Sequence, residues 1–298
     1  MVGIGMRKRK RLNMFNIVNH TLLVIIGIMM LYPIVNVTAV SFSSYTAYID
    51  NPMRIWPEGF NVDAYRQIMA NPVLWRSYLN TIIVTVSGVS IGAALYILTG
   101  YPLSKKHLKG RQLFMLLVIF TMLFNGGMIP NYYLMKTLGL LDTLAALVLP
   151  PLLTGFSLIL MKNFMENLPE ELEEAAKIDG ASDPYILWRI IVPLSKPIIA
   201  TLCLFAAVTY WNNFFTGIVY IRSVDKWPLM LFLREVIEAS KMRELASGGN
   251  AAEMSMDQVM TENIKYASLI IVILPILFVY PFVQKYFVKG IMLGSVKG

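Results

Sequence analysis

The residues of this sequence that could carry out chemistry do not form a hydrolytic metal site or a nucleotide-binding motif. The zinc-protease pattern H-E-x-x-H and the phosphate-binding loop G-x-x-x-x-G-K-[ST] are both missing from the 298 residues. The two histidines, His20 and His107, lie at the edges of apolar stretches, and the single cysteine, Cys203, lies within one. We therefore predict no catalytic residue, no metal site and no cofactor on this chain.

The most informative polar residues lie in one segment, at about residues 167–196, which has the pattern of a helix–turn–helix. Four glutamates follow Pro169 and would occupy the positive N-terminal end of a helix. Leu172, Ala175 and Ala176 would form a small apolar stripe on that helix. Gly180 is a natural stop in the left-handed conformation, after which a second helix would run to Pro193. Such a segment is either a solvated connector or a knob that fits a socket on a partner protein.

The elements that must position this segment are six long apolar runs. Of all residues, 56% are hydrophobic and only 15% are charged, whereas a soluble domain averages about 25% charged residues. This composition excludes a disordered chain, a disulfide scaffold and an ordinary water-soluble enzyme. None of the six runs contains Asp, Glu, Lys or Arg, and they occupy residues 21–40, 79–101, 113–129, 144–161, 197–220 and 266–283.

Each run has about the length, roughly 17–25 residues, that a helix needs to cross a bilayer. Backbone groups inside a bilayer have no water to bond, so each run is predicted to be a helix. The predicted fold class is therefore an all-α membrane protein with six transmembrane helices. Most ion-coupled transporters use charged residues inside their spans, and this chain has none there. A channel, a passive scaffold or the membrane half of a pump remain.

The distribution of Lys and Arg predicts that both termini lie in the cytoplasm. The predicted inner segments carry 16 of the 26 basic residues, and the longer outer segments carry 10. This orientation predicts a cytoplasmic basic segment at 1–16, a transmembrane domain at 17–286 and a cytoplasmic tail at 287–298. The segment at 167–196 is then cytoplasmic, and a long loop at about 221–265 lies outside. Because the basic residues flank apolar runs, no nucleic-acid partner is predicted despite the net charge of +8.

Small residues in the second run predict a close helix–helix contact. Gly88 and Gly92 lie four positions apart, and Ala93 and Ala94 follow. Small residues at this spacing let two helix backbones approach closely. The contact is either internal packing or a contact with another subunit.

The segment at 167–196 resembles the EAA loop of bacterial ABC importer permeases. It carries Glu174-Ala175-Ala176, then Gly180 after three residues, then Ile190-x-Val192-Pro193 after nine more, where the family usually has Leu instead of Val192. The tail and the run Trp211-Asn212-Asn213-Phe214 are similar to the second permease subunit of maltose-type carbohydrate importers. The outer loop most resembles the branch found beside lipoprotein sugar-binding proteins in Gram-positive bacteria.

The resemblance implies a transport subunit with the type I ABC importer permease architecture, and not an enzyme. Such a subunit moves a carbohydrate, here expected to be an oligosaccharide, across the bacterial plasma membrane. The implied partners are a second homologous permease subunit, two ATPase subunits that hold ATP and Mg, an extracytoplasmic sugar-binding protein and membrane lipid. The resemblance also implies a coupling helix that fits a cleft in the ATPase, formed by Glu174, Ala175, Ala176, Asp179 and Gly180.

Two further groups of residues follow from the same resemblance. The tail is expected to reach into the ATPase dimer through Ser295, Val296, Lys297 and Gly298. An outer loop is expected either to contact the binding protein or to be a mobile loop without that role, and its candidate residues are Ser247, Gly248, Gly249 and Asn250.

A substrate path is predicted from residue type, because sugar sites use aromatic faces and amide groups. The alternative for these residues is an aromatic belt at the membrane interface. In the related maltose system the other permease holds most of the sugar. The candidate residues are Asn125, Tyr132, Tyr210, Trp211, Asn212 and Asn213.

Two competing functions stay open at this point. A permease of the same architecture could carry another solute, such as an amino acid or a lipid. A channel or ion-coupled carrier would instead show flux without an ATPase and would respond to ion gradients. A membrane enzyme has less support, because it would need a polar catalytic cluster within the spans.

Overall fold

The computed structural model describes residues 14–44, 47, 51, 53–246 and 263–278, with the backbone alone at 243–246. Within these ranges the chain is mostly helical and contains no strand. The helices are α1 (Met14–Ser41), α2 (Asp63–Ala70), α3 (Pro72–Ser104), α4 (Arg111–Leu123), α5 (Met128–Thr137), α6 (Ala145–Val148), α7 (Gly155–Glu166), α8 (Glu171–Ile178), α9 (Asp183–Leu194), α10 (Lys196–Trp211), α11 (Phe215–Tyr220), α12 (Leu229–Ala246) and α13 (Asn263–Phe278).

The first two predicted spans are continuous helices. The 28 residues of α1 and the 33 residues of α3 are long and apolar enough to cross a membrane. Asn71 caps α3 because its side chain accepts a hydrogen bond from the backbone N–H of Val73, and Pro72 occupies the first turn. The helix ends at Ser104, immediately before the basic residues of the next loop.

The third predicted span is wrong as a single helix. The run 113–129 is divided between α4 and α5, which are bent by 114° at the break. At the break the side-chain oxygen of Asn125 accepts a hydrogen bond from the N–H of Gly127 at 2.9 Å, and Gly127 has a φ of +84°. An asparagine that bonds its own backbone two residues on favours a turn over a helix.

The fourth and fifth predicted spans are also interrupted. The run 144–161 is helical in α6 and α7 but not between them, where Pro150 and Pro151 each lack a backbone donor. The run 197–220 breaks between α10 and α11, at residues 212–214. The described residues contain two helices that qualify as spans, or four if each bent pair counts as one, so the six-span arrangement stays a prediction.

The chain divides into two compact units, Met1–Ile68 with Ser240–Ile270, and Met69–Ala239 with Ile271–Gly298. The main core of the second unit is formed by α3, α7, α9 and α10. Its buried residues are Tyr96, Ile97, Tyr101, Leu103, Leu158, Met161, Met165, Ile186, Leu187, Ile191 and Leu202. A smaller cluster joins α3 and α10 to α6 through Val84, Leu147, Val148, Tyr210 and Ile221.

The small residues of α3 serve packing within this chain. A Cβ atom on Gly88 would overlap the ring of Tyr210 and lie 2.7 Å from its hydroxyl oxygen, and one on Gly92 would lie 3.1 Å from the carbonyl oxygen of Leu152. Internal packing, the first of the two alternatives, therefore accounts for both glycines. Residues 88–92 also match the G-x-S-x-G spacing of hydrolases, but that motif needs a strand-to-helix turn, and here it lies inside a helix.

Candidate functional site

The predicted helix–turn–helix at 167–196 is formed by α8 and α9. Three glutamates occupy the first turn of α8, where they complement the helix dipole. Gly180 has a φ of +80°, as predicted for a helix stop. The N–H of Gly180 bonds the carbonyl of Lys177 at 3.0 Å, and the N–H of Ala181 bonds the carbonyl of Ala176 at 2.9 Å. These two bonds form a Schellman motif, so the turn after α8 is a defined structure.

Ion pairs fasten α8 to the loop that follows α3. Lys105 pairs with Glu173, and the two side chains are only 21% and 14% exposed. The ammonium group of Lys105 also lies 4.4 Å from the ring centroid of Tyr101 on α3. A second, exposed pair joins Lys106 to Glu170 at 3.1 Å. The acidic start of α8 is therefore attached to the end of α3.

A second set of charged contacts attaches the start of α4, directly after this loop, to the end of α7. Arg111 contacts the carboxylate of Glu166 at 2.7 Å and also donates to the carbonyl of Leu103 at 2.9 Å. Lys162 pairs with the other oxygen of Glu166. The hydrogen bond from Lys162, followed by that from Arg111, lowers the pKa of the Glu166 carboxyl below its ordinary value. Residues 105–111 thus connect α3, α7 and α8 through charged contacts.

The outward surface of α8 consists of residues that the core does not use. Ile178 is 86% exposed, and Glu174, Ala175, Asp179 and Gly180 are also exposed. Of the five residues predicted to contact an ATPase, only Ala176 is half-buried, because it packs on the core. The predicted stripe of Leu172, Ala175 and Ala176 therefore splits, since Leu172 and Ala175 face outward.

The second helix of the segment departs from the prediction at its C-terminal end. Pro193 does not end α9, which continues to Leu194. The turn before the proline is a wider π turn, Leu187–Ile191, in which the backbone bonding is already altered. The chain then bends by 77° into α10. Two aromatic residues of α9, the helix that follows α8 in sequence, are also exposed. Tyr185 is 55% exposed and Trp188 is 51% exposed.

Asp142 organises a second polar site, between the end of α5 and the start of α12. Its carboxylate accepts hydrogen bonds from the N–H groups of Arg222 and Ser223 at 3.0 and 2.9 Å, and from the Ser223 hydroxyl at 2.5 Å. Lys226 lies 3.0 Å from the same carboxylate. These bonds, those from Ser223 first, hold the pKa of Asp142 well below its ordinary value. Sequence reasoning missed Asp142. In the structure its unusual feature is a positive φ of 58°.

Residues 225–229, which overlap the partners of Asp142, are also attached to α3. The amide of Asn80 donates to the carbonyls of Asp225 and Trp227 at 2.9 and 3.1 Å. The Thr81 hydroxyl accepts a hydrogen bond from the N–H of Leu229 at 2.8 Å. Residues 222–229 are therefore held from two sides before α12 begins.

Of the six predicted substrate-path residues, four are consecutive at 210–213, where the N–H of Asn213 bonds the carbonyl of Tyr210 at 3.3 Å. Among the described residues, no hydrogen bond links these four to Asn125 or Tyr132. The side chain of Tyr210 is 2% exposed and its hydroxyl donates to the carbonyl of Val148 at 2.8 Å, so in this structure it packs in the core. Trp211 packs edge-on against Tyr78 at 6.4 Å, and Tyr132 accepts a hydrogen bond from Arg222 at 3.2 Å.

The three candidate asparagines lie at the helix breaks. Asn125 and Asn212 are exposed at the breaks after α4 and α10, and Asn213 accepts a hydrogen bond from the N–H of Thr216 at 3.2 Å. Within the described ranges there is no group of His, Cys, Asp and Glu that could hold a metal ion. The predicted outer contacts Ser247, Gly248, Gly249 and Asn250, and the tail Ser295, Val296, Lys297 and Gly298, lie outside the described residues.

Comparison with known families shows to which family the chain with this exposed α8 surface belongs. Residues 1–293 match the family described as the binding-protein-dependent transport system inner membrane component. The chain belongs to this family. The permease is therefore a multi-pass component of the cell membrane, and its family consists of transport proteins rather than enzymes.

Two curated relatives of the permease come from Bacillus subtilis (strain 168). The polygalacturonan/rhamnogalacturonan transport system permease protein YtcP is 41% identical over 290 residues, which cover 96% of this chain and 99% of the relative. Protein LplC is 43% identical over 293 residues, which cover 98% of each chain. The sequence resemblance to sugar ABC importer permeases is confirmed by this similarity.

A solved structure has a similar fold. The permease superimposes on a chain of a bacterial ABC transporter involved in the import of the acidic polysaccharide alginate, with a TM-score of 0.83 and 36% identity. The match covers 93% of this chain and 98% of that chain. The all-helical ABC importer permease fold is confirmed, and the role of the chain is that of an ABC importer permease.

Proposed function

We propose that this permease is one of two unlike membrane subunits of an importer that moves an oligosaccharide into the cytoplasm. The observation that carries the proposal is the surface of α8, which is exposed, ends in a defined Schellman turn and is attached by ion pairs to the loop after α3. That loop leads to Arg111, whose own ion pair reaches the end of α7. A surface that must transmit force needs all three properties. ATP and Mg are held by separate ATPase subunits in this proposal, and Glu174 meets a basic group on one of them.

The ion pairs supply the mechanical connection. When the ATPase subunits close, a displacement of α8 is passed through Lys105 to the loop after α3, and from that loop to α7 through Arg111 and Glu166. Closely packed cores move as rigid bodies, so the spans tilt together. Asp179 and Gly180 present the turn to the ATPase, and the tail at 295–298 adds a second contact.

The arrangement in the membrane is proposed to have six spans with both termini in the cytoplasm. This places α8 and the basic residues 105–111 on the same inner side, in agreement with the ion pairs that join them. It places Asp142 and residues 222–229 outside. The loop containing Ser247 to Asn250 would then face the extracytoplasmic binding protein, which is the third partner beside the second permease subunit and the ATPases.

The proposed substrate class is an oligosaccharide that contains acidic sugars. Two of the similar proteins are named for the transport of polygalacturonan with rhamnogalacturonan and of the acidic polysaccharide alginate. On the proposed outer side, Arg222 is exposed and its guanidinium donates to Tyr132. A guanidinium beside a phenol can bind both a carboxylate and a sugar ring, which suits a uronic acid. Asn125, Trp211, Asn212 and Asn213 remain candidates for the path.

Uptake by the complete transporter tests the proposal. Vesicles that contain the permease, its co-purified partners and the binding protein would be supplied with oligogalacturonides, neutral arabinooligosaccharides or amino acids. We expect oligogalacturonides to stimulate both ATP hydrolysis and uptake, and Glu174→Lys to abolish uptake while membrane insertion persists. Stimulation by neutral sugars alone would remove the acidic class, and stimulation by amino acids alone would remove carbohydrate.

The competing carrier mechanism is distinguished in the same vesicles. A channel or ion-coupled carrier would take up solute without ATP and would respond to an imposed ion gradient. Uptake that continues in the Glu174→Lys variant or without the ATPase subunits would contradict the proposed coupling.

A further inference from the structure

The loop between α1 and α2 presents apolar side chains to its surroundings. Met53, Ile55 and Trp56 are 75%, 61% and 80% exposed. We propose that this loop, the 51–60 loop, is a lipid-contacting anchor that enters the membrane interface beside α1. The inference goes beyond the proposed transport function and holds whichever solute is carried.

Hydrogen bonds hold the 51–60 loop alongside α1 rather than beyond its end. The hydroxyl of Tyr32 donates to the carbonyl of Met53 at 3.0 Å, and the amide of Asn36 donates to the carbonyl of Arg54 at 2.8 Å. At about 1.5 Å per residue, Tyr32 and Asn36 lie about 13 Å and about 7 Å before the end of α1 at Ser41. The 28 residues of α1 span about 42 Å, whereas the hydrocarbon core is about 30 Å thick, so the loop lies beside the C-terminal end of the span, at the depth of the membrane interface.

Several backbone groups of the loop have hydrogen-bond partners within the protein. Irregular backbone is tolerated at membrane depth only when its polar groups have partners in the protein. Besides the two carbonyls above, the N–H of Met53 bonds the side-chain oxygen of Asn51 at 3.0 Å. The carbonyl of Asn51 accepts a hydrogen bond from the side chain of Arg54 at 3.0 Å.

The charge of Arg54 is removed from the surface of the loop. Its side chain is 6% exposed and contacts the Glu58 carboxylate at 2.9 Å. An arginine close to lipid is costly unless it is paired or reaches water. The Glu58 side chain is 77% exposed and keeps its carboxylate in contact with water, whereas Met53, Ile55 and Trp56 are the exposed apolar groups of this part of the loop.

The apolar surface of the loop continues the surface of α1. Only 11% of an apolar 18-residue stretch of α1 is buried. Ile34 and Val35, near the point where the loop is attached, are 49% and 43% exposed. Tryptophan is enriched at membrane interfaces because its ring is amphipathic. A loop that extends a lipid-facing helix and carries an exposed tryptophan fits a bilayer interface better than water.

Spin labelling of the full chain, with its partner subunits in lipid vesicles, tests the anchor. In a Cys203→Ser background, a nitroxide would be attached at Ile55→Cys, at Ile28→Cys within α1 and at Arg66→Cys on α2. Ile28 and Arg66 are exposed, so all three labels are accessible from the surface. Collisions with oxygen, which concentrates in lipid, and with a water-soluble nickel chelate would be compared by power saturation.

We expect the label at position 55 to collide more with oxygen than with the nickel chelate, as at position 28, and the label at position 66 to show the reverse. Equal behaviour at positions 55 and 66 would overturn the anchor. A label at position 55 that is open to nickel and becomes shielded only when the binding protein is added would overturn it in favour of a protein contact. The readout does not depend on transport, so failure of the anchor and failure of the proposed function are distinguishable.

Discussion

Gly180 is the residue on which the shape of the α8 turn depends. Its φ of +80° lies in the region that side chains with a Cβ atom rarely adopt, and no other atom would crowd a Cβ there. The requirement is therefore conformational and not a matter of space. Both bonds of the Schellman turn are lost if this residue leaves the left-handed region.

We expect Gly180→Val to abolish coupling of ATP hydrolysis to uptake while the protein still inserts. A β-branched residue in the left-handed conformation costs about 1–2 kcal/mol, enough to rearrange an exposed turn but not the core. Gly180→Asn is the matched control, because asparagine tolerates this conformation. Its activity should stay close to that of the wild type. Equal loss in both variants would show that the conformation is not what matters.

Gly88 is required for a different reason, which is space. We expect Gly88→Ala to lower the free energy of unfolding by about 1–3 kcal/mol, because the new methyl group overlaps the buried ring of Tyr210. Gly27→Ala is the control, since a Cβ there meets nothing within 4 Å. Thermal melting of the purified complex compares the two. A similar melting temperature for both variants would contradict the packing of Tyr210 against α3.

Asp142 makes stability depend on pH. Its folded-state pKa is depressed, so its contribution is complete above the ordinary carboxyl pKa of 3.8 and is lost as the pH falls below that value. We expect Asp142→Asn to lower the melting temperature at pH 7, and the difference from wild type to shrink as the pH approaches 4 and below. Asp63→Asn, in an exposed ion pair with Arg66, is the control and should have a smaller effect at pH 7. A difference that does not change with pH would rule out the ionised carboxylate as its cause.

At the scale of elements, the attachment of α8 to α3 is the main finding. Two ion pairs make it, and they differ in burial: Lys105 with Glu173 is largely shielded, whereas Lys106 with Glu170 is about 70% exposed at both side chains. Shielded pairs cost more to break than exposed ones, because the remaining charge cannot be solvated freely. The two pairs therefore form a natural comparison.

We expect Lys105→Glu to weaken uptake and to raise ATP hydrolysis that is not accompanied by transport. Its cost should be about 1–3 kcal/mol, between the values for exposed and buried pairs. The double exchange Lys105→Glu with Glu173→Lys should restore most of the coupling. Lys106→Glu is the matched control and should cost less than about 1 kcal/mol. Failure of the double exchange to restore coupling would separate this ion pair from force transmission.

Helix-start and helix-stop signals predict α8 well, because the residues that define its two ends are close together in sequence. The glutamates at one end and Gly180 at the other define the helix without any distant contact. The ion pairs could be anticipated only as a class, because basic residues 105–111 and acidic residues 166–174 have opposite charge. Which lysine meets which glutamate depends on the packing of α3 on α7 and was beyond sequence reasoning.

The departures of the structure from the predicted spans and contacts also have specific causes. Hydrophobicity alone joined residues 113–129 and 144–161 into single spans, although Asn125, Pro150 and Pro151 are local signals for a break. The burial of Tyr210 was also not anticipated, because an aromatic ring beside asparagines suits a sugar site. The same residue types suit a core contact, and only the position of Gly88 opposite the ring distinguishes the two.

In the complete transporter, the proposed coupling requires that α8 faces the cytoplasm and touches a separate nucleotide-hydrolysing subunit. Crosslinking measures both requirements together. In a Cys203→Ser background, cysteine would replace Ile178, which is 86% exposed on α8, or Val224, which is 44% exposed on the segment held by Asp142. Val224 is the control, because it is proposed to lie on the outer side.

The most direct test is a crosslinker with a maleimide at one end, which attaches to the introduced cysteine, and a photoactivated benzophenone at the other, which inserts into C–H bonds of any adjacent subunit. It would be applied to intact cells that express the complete transporter. The proposed coupling predicts that Ile178→Cys crosslinks to the ATPase subunit, with a yield that changes when ATP hydrolysis is blocked, and that Val224→Cys does not. A crosslink to the ATPase from position 224, or none from position 178, would contradict it.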